Sequence, residues 1–269
     1  MPKILRIALF SLQDQVRHKS FYILLGVCIL LVLLLRGCYK GNFTVNNQQI
    51  DNLTIAWHAS KFAFHLIAGG MMLLTTLLSM NIFTRDVQNG NMVLMLSKPI
   101  KRTHYLLGRI AGVWVLVSVF MFILHLTIVI ITFMSTGDVL PEFFLASIIC
   151  TINLLFLILL VSLFSLFLPD FMAAVTAIGI AGISFISESF YLAKHSKMLQ
   201  SLASSGIDTD ISIWRILWPK TAMLQYYASS FIGGSDFNPM GPIHPLLNIL
   251  FYILITYVLL MVIFNRKEI

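Results

Sequence analysis

The sequence predicts an all-α polytopic membrane protein that forms one domain. Its 269 residues are 58% hydrophobic and 11% charged, whereas about a quarter of the residues in a soluble domain are charged. The mean hydropathy is +0.90, and apolar runs of near-spanning length recur along the chain. A second, soluble domain would need a polar block of about 100 residues, which the sequence does not contain. We therefore expect residues 1–269 to form a single transmembrane domain.

The amino-terminal segment, residues 1–19, predicts an amphipathic helix. Its apolar residues recur at helical spacing, and most basic and polar residues lie on the other side; the apolar set is Ile4, Leu5, Ala8, Leu9, Leu12 and Val16. The segment lacks the continuous apolar run and the cleavage site of a secretory signal. We expect it to lie as an interfacial helix on the cytoplasmic face of the membrane.

Six apolar segments reach or approach the roughly 20 helical residues that cross about 30 Å of hydrocarbon. The predicted spans are Phe21–Leu35, Phe62–Phe83, Ile110–Met134, Phe143–Leu168, Phe171–Leu192 and Pro245–Phe264. The first is short, so we expect it to continue to Cys38 or Tyr39 with Arg36 reaching the head groups. Asp170 follows Pro169 and should lie in a surface turn, because an ionised aspartate costs about 2.5–3.5 kcal/mol at the membrane centre.

The distribution of Lys and Arg predicts the orientation. Basic residues concentrate before the first span, in the connection 84–109 and after the last span, which six spans would place on one side. Since this bias sets topology, we expect both termini and residues 84–109 in the cytoplasm. The net charge of +7 then indicates contact with membrane lipid rather than with nucleic acid.

Residues 193–244 form the long connection expected on the outer side. Trp and Tyr are enriched where a helix meets the head groups, and this connection carries Trp214, Trp218, Tyr226 and Tyr227. Pro219 would interrupt a continuous helix. The pattern predicts short outer-face helices before the last span that dip into the membrane surface.

The connection 84–109 has an unusual order of features. Asn89 and Gly90 are a turn pair, and the apolar run Met92–Leu96 is too short to span, so it needs cover from the membrane or from a partner's groove. Pro99 excludes helical geometry at the residue before it and so ends that run. We expect Thr103 to cap the third span and Arg109 to anchor its inner end at the phosphate layer.

This order of residues resembles the loop after the second span in type-2 ATP-binding-cassette (ABC) transporter permeases. The matching pieces are Asp86-x-x-x-Gly90, the run Met92 to Leu96, Ser97-Lys98-Pro99-Ile100-Lys101-Arg102, and Tyr105-Leu106-Leu107-Gly108-Arg109. The sequence departs from the family pattern at Gln88, Asn91 and Lys101. The segment "ILWPKTAMLQYYAS" also resembles the outer segment of the branch often associated with multi-copper enzyme maturation.

The resemblance implies a permease subunit that couples ATP hydrolysis on a separate chain to substrate translocation, with export as the family expectation. Its partners would be two ATPase subunits, which carry ATP and magnesium, and a second permease copy or a similar chain. The ATPase-coupling residues carried over are Asp86, Gly90, Met92, Val93, Leu94, Met95, Leu96, Pro99, Lys101, Arg102, Tyr105, Gly108 and Arg109. Asp86 and Arg109 would fix the two ends of the loop.

The chain itself carries no G-x-x-x-x-G-K-[ST] phosphate loop, no H-E-x-x-H helix and no G-x-S-x-G elbow, so catalytic residues and a metal site are not expected in it. An intramembrane enzyme, a further alternative, lacks a recognisable nucleophile and base.

The other alternative is a haem-binding or anchoring subunit of a redox complex. His65 and His125 could face each other and hold a cofactor, or each could form hydrogen bonds within the bundle or reach the interface. Glu188 could face a cavity or lie at the interface. Close helix contact is expected at two pairs of glycines, namely Gly69 with Gly70 and Gly179 with Gly182.

Overall fold

The computed structural model describes helices over most of the chain and one minimal hairpin. The described residues are 3–16, 22, 26, 29–30, 33, 44–45, 48–49, 52–80, 82, 101–137, 141–195, 217–232, 237 and 243–266. The helices are α1 (Lys3–Val16), α2 (Asn52–Ser79), α3 (Arg102–Thr136), α4 (Glu142–Phe164), α5 (Asp170–His195), α6 (Thr221–Ser230) and α7 (Pro245–Arg266). Strands β1 (Thr44–Val45) and β2 (Gln48–Gln49) pair antiparallel.

Five helices are long and apolar enough to cross a membrane, which confirms a multi-pass helical membrane protein. The spanning segments are Ala56–Ser79, Arg102–Thr136, Glu142–Phe164, Asp170–Ser189 and Pro245–Arg266. The predicted first span lies largely outside the described residues. Within it, the structure describes five residues, all helical: Tyr22, Gly26, Ile29, Leu30 and Leu33. The count of six spans therefore stays a prediction.

Helix α3 begins eight residues before the predicted Ile110, because the hydropathy pattern marks only the part of a helix that meets hydrocarbon. Its 35 residues extend over about 52 Å, well beyond the roughly 30 Å of hydrocarbon. Lys101 is its N-cap and makes no side-chain cap hydrogen bond, so the cap predicted at Thr103 is wrong. Helix α5 begins at Asp170, in agreement with the turn predicted there.

The spans alternate in direction and pack around α4. In the most apolar stretch of α4, 72% of the residues are buried, whereas the corresponding share in α7 is 22%. Helix α4 is therefore central and α7 is peripheral. The starts of α3 and α5 and the ends of α2, α4 and α7 share one end of the bundle, which we call the α1 end because α1 packs there on α3. The opposite end is called the far end.

Helix α6 lies deeper than the surface position predicted for the connection before the last span. Asn153, at the middle of the 23-residue α4, donates from Nδ2 to the main-chain oxygen of Thr221 at 2.9 Å. Gln225 donates from Nε2 to the main-chain oxygen of His65 on α2 at 2.9 Å. These bonds place the start of α6 about halfway into the bundle from the far end.

Among the described residues, no other helix comes close to the glycine pairs that were predicted to pack closely. A Cβ atom added at Gly69, Gly70, Gly179 or Gly182 would meet nothing within 4 Å. Gly69 and Gly182 instead line an apolar groove of about 260 Å³ between α2 and α5.

Candidate functional site

The described part of the predicted coupling site is the first three turns of α3. Arg102, Tyr105, Gly108 and Arg109 lie there, and Lys101 directly precedes them as the N-cap. The other residues of the site lie outside the described residues, and they are Asp86, Gly90, Met92, Val93, Leu94, Met95, Leu96 and Pro99.

The end of α7 is held against the start of α3. Tyr105 is fully buried, and its ring stacks on that of Phe264 with centroids 6.3 Å apart and planes 16° apart. One turn earlier, Arg102 donates from Nη1 to the main-chain oxygen of Asn265 at 3.5 Å. A cation beside the carbonyl end of a helix also complements its dipole. Lys101, by contrast, is exposed.

Two glycines of α3 allow the main chain of α1 to approach closely. A Cβ atom at Gly108 would lie 2.6 Å from Cβ of Ile7, and one at Gly112 would lie 2.6 Å from the main-chain oxygen of Ala8. Real Cβ atoms do not approach other atoms this closely. Because the two glycines are four residues apart, they share one face of α3. We name this pair the glycine contact.

Arg109 lies beneath α1 and is 3% exposed. Its Nη1 is 3.9 Å from the Oδ2 atom of Asp14, and its guanidinium lies 5.8 Å from the ring centre of Phe10, within the range of a cation–π interaction. Ser11 donates from Oγ to the main-chain oxygen of Arg109 at 3.4 Å. The position predicted for Arg109 at the phosphate layer is therefore wrong, because α1 covers its side chain.

The α1 face that packs on α3 differs from the predicted apolar face. Ile7, Ser11 and Gln15 are the buried residues of α1, and their four-residue spacing puts them on one side. That side is about a quarter turn around the helix from the apolar stripe. The signal that could have located this contact was the Gly108-x-x-x-Gly112 spacing, since small residues four apart mark close helix contact in membranes.

A second polar cluster joins α5, α6 and α7 in the far half of the bundle. The backbone N–H of Lys220 donates to Oδ1 of Asn248 at 2.9 Å, and its Nζ donates to the main-chain oxygen of Ile243 at 3.2 Å. Burial lowers the pKa of Lys220, and the nearby charge of Glu188 opposes that shift. Glu188 accepts a 3.4 Å hydrogen bond from Oγ of Ser184, so its carboxylate faces the protein.

Both candidate cofactor histidines have hydrogen-bond partners in the bundle. Nδ1 of His65 lies 3.2 Å from Nε2 of Gln225, and Nδ1 of His125 lies 2.6 Å from Oγ of Ser147. The predicted alternative in which each histidine bonds within the bundle is confirmed. Among the described residues, no group of three or more His, Cys, Asp or Glu side chains is placed to hold a metal ion.

Ser147 and His125 are residue types that can act as a nucleophile and its base. Their hydrogen bonds, however, do not have the direction that such a pair needs. The hydroxyl of Ser147 donates to the main-chain oxygen of Phe143 at 2.7 Å. A serine hydroxyl has one proton to donate, so in this geometry His125 is the donor to Oγ rather than the base that accepts its proton.

No protein-family model matches the sequence, and no curated protein matches it. The order of residues in the connection 84–109 and the packing at the start of α3 are the observations that bear on function.

Proposed function

We propose that this chain is the membrane-spanning permease subunit of an ATP-binding-cassette transporter that couples ATP hydrolysis on a separate ATPase subunit to substrate movement, as an exporter. The observation that carries the proposal is the ordered pattern from Asp86 to Arg109. In the functional assembly, two permease chains sit over two ATPase subunits in a prokaryotic inner membrane.

The placement of charge supports the orientation that this function needs. If residues 21–35 form a sixth span, three segments share one side of the membrane: α1, the connection 84–109 and the last residues of α7. That side is the richest in Lys and Arg and is therefore the cytoplasmic side. ATP and its ATPase are available on that side.

The packing at the start of α3 supports transmission of movement from the loop. Pro99 and Lys101 lead directly into α3, whose first turns contact α7 through Tyr105 and α1 through Arg109. Because Tyr105 and Arg109 are buried, the start of α3 moves together with its two neighbours. A push on the loop therefore reaches three helices at once.

The apolar run Met92–Leu96 is the proposed docking element. Its five consecutive apolar residues would cover every side of a helix, so the whole run needs cover, which a hydrophobic groove of a partner would supply. The two methionines suit a surface that has to repack as the ATPase subunits close and open, since their side chains are flexible and polarisable.

The test begins with affinity purification of the tagged full chain from its native membranes. We expect a chain with a Walker A motif to copurify in an equal amount, and we expect replacement of Met92–Leu96 by a Gly/Ser linker of equal length to remove it. The matched control places the same kind of linker over Thr44–Gln49, on the opposite side of the proposed topology. Copurification that survives the first replacement, or a native chain that brings no Walker protein, contradicts the proposal.

A further inference from the structure

Helix α1 presents an apolar strip that it does not use against α3. The strip is formed by Leu5, Leu9, Leu12 and Val16. Leu5 and Leu9 are 43% and 44% exposed and Leu12 and Val16 are half-buried, although leucine is among the residues most often buried in folded proteins. We name these four residues the α1 strip.

The position of α1 on α3 puts this strip at the boundary of the lipid. The face of α3 that carries the glycine contact continues toward the far end with Val115, Val119 and Leu126, which have the helical spacing of one stripe and are 42%, 51% and 53% exposed. This stripe belongs to a spanning segment. Val115 follows Gly112 by three residues, about 4.5 Å along the helix, so lipid contact begins within one turn of α1.

The exposed charge beside the strip is positive. Arg6 is exposed on the turn next to Leu9, and Lys3 and Arg17 flank it in the sequence. Asp14, the single acidic residue of α1, faces Arg109 beneath the helix. The ion pair turns the one negative charge of α1 toward α3, although 31% of the Asp14 side chain stays exposed, and Arg6 is the exposed charge beside the strip.

We propose that α1 is a binding site for acidic phospholipid, with the α1 strip against the acyl chains and Arg6 against the phosphate. The chemistry is that of interfacial helices, which combine an apolar face in the head-group boundary with cations that attract anionic lipid. The glycine contact and Arg109 hold the helix at this depth. This site depends on the membrane placement of α3 and not on an ATPase partner.

The apolar part of the proposal is tested with an environment-sensitive fluorophore at position 9. Leu9→Cys is made in the full chain with Cys28 and Cys38 replaced by serine, while Cys150 is buried and stays. The matched control is Lys101→Cys, an exposed position outside α1 at the same end of the bundle. In phosphatidylcholine vesicles, lipid-borne nitroxides should quench the probe at position 9 several-fold more than the probe at position 101, and aqueous iodide should do the reverse. Equal quenching of both probes, or shielding of position 9 from both quenchers as a covering protein would cause, overturns the site.

The charged part is tested by native mass spectrometry of the chain released from mixed phosphatidylcholine and phosphatidylglycerol vesicles. The native chain should retain phosphatidylglycerol preferentially. Because one cation near an acidic surface contributes about fivefold in affinity, Arg6→Gln should lower the retained ratio of the two lipids about fivefold. Arg266→Gln removes an exposed cation at the same end of the bundle and should leave the ratio unchanged. Equal retention of the two lipids by the native chain overturns the assignment to acidic lipid. Both measurements are independent of a copurified ATPase, so a failure here is distinct from a failure of the transporter proposal.

Discussion

Replacement of Gly112 by alanine should loosen α1 from the bundle. The added Cβ atom would lie 2.6 Å from the main-chain oxygen of Ala8 and 2.6 Å from Cβ of Ser11. A side chain could rotate away from such a contact, but a helical main chain cannot. Helix α1 therefore has to retreat from α3 as a body.

The magnitude follows from the geometry. Real Cβ atoms essentially never come closer than 3.0 Å to another heavy atom, so α1 has to shift by at least about 0.4 Å, and overpacking of this kind costs about 1–3 kcal/mol. Alanine also stabilises a helix by up to about 1 kcal/mol relative to glycine. Gly182→Ala carries that same propensity gain with nothing within 4 Å of the new Cβ atom. The difference between the two variants isolates the clash.

The assay follows the exposure of a thiol under α1. Gln15→Cys places it at a position that is 9% exposed, in a chain with Cys28 and Cys38 replaced by serine. Its modification rate then reports the fraction of molecules in which α1 is detached. We expect Gly112→Ala to raise that rate about 5- to 150-fold and Gly182→Ala to leave it unchanged. Equal rates in the two variants would refute the close approach of α1 to α3.

Two further substitutions test contacts at the α1 end and in the middle of the bundle. Tyr105→Ala should lower the free energy of unfolding in detergent by about 3–5 kcal/mol, as other large-to-small core changes do. Tyr105→Phe keeps the ring on Phe264 and serves as the control. Equal losses of stability in both variants would argue against the stacking. Asn153→Leu removes the donor that holds the main chain at the start of α6, which should cost about 1–3 kcal/mol. Amide hydrogen exchange within α6 should then accelerate while exchange in α7 does not, and unchanged exchange in α6 would contradict its anchoring.

The spanning helices of the described chain could be predicted because their signal is local. A run of about 20 apolar residues has few alternatives to a membrane helix, and the turn at Asp170 follows from the cost of burying its charge in lipid. The start of α3 could not be located in this way. Residues 102–109 are too polar for a hydropathy window, and they are helical because α1 and α7 pack on them.

The position of Arg109 illustrates what a local pattern leaves open. A basic residue at the end of an apolar run fits a phosphate contact, and the sequence gives no sign that α1 covers it. The partner, Asp14, is 95 residues away in sequence and becomes relevant only once the glycine contact has brought α1 into place.

The depth of α6 was missed for a related reason. Tryptophan, tyrosine and Pro219 indicate a position at the membrane surface, whereas Asn153 and Gln225 indicate burial, because an amide inside a membrane protein needs a hydrogen-bond partner. The sequence does not indicate which main-chain oxygen will accept the hydrogen bond of either amide. A search for polar side chains inside apolar runs would have pointed to the anchored segment without locating its partner.

The contact between α1 and α3 also sets an order of assembly during synthesis. Asp14 leaves the ribosome long before Arg109, and at about 5–20 residues per second the delay is about 5–20 s. During that interval the surface of α3 on which α1 packs is not yet available. Phe264 follows 159 residues after Tyr105, so Tyr105 waits longer still for its ring partner. The site where α3 meets both α1 and α7 is thus completed only once α7 has been made.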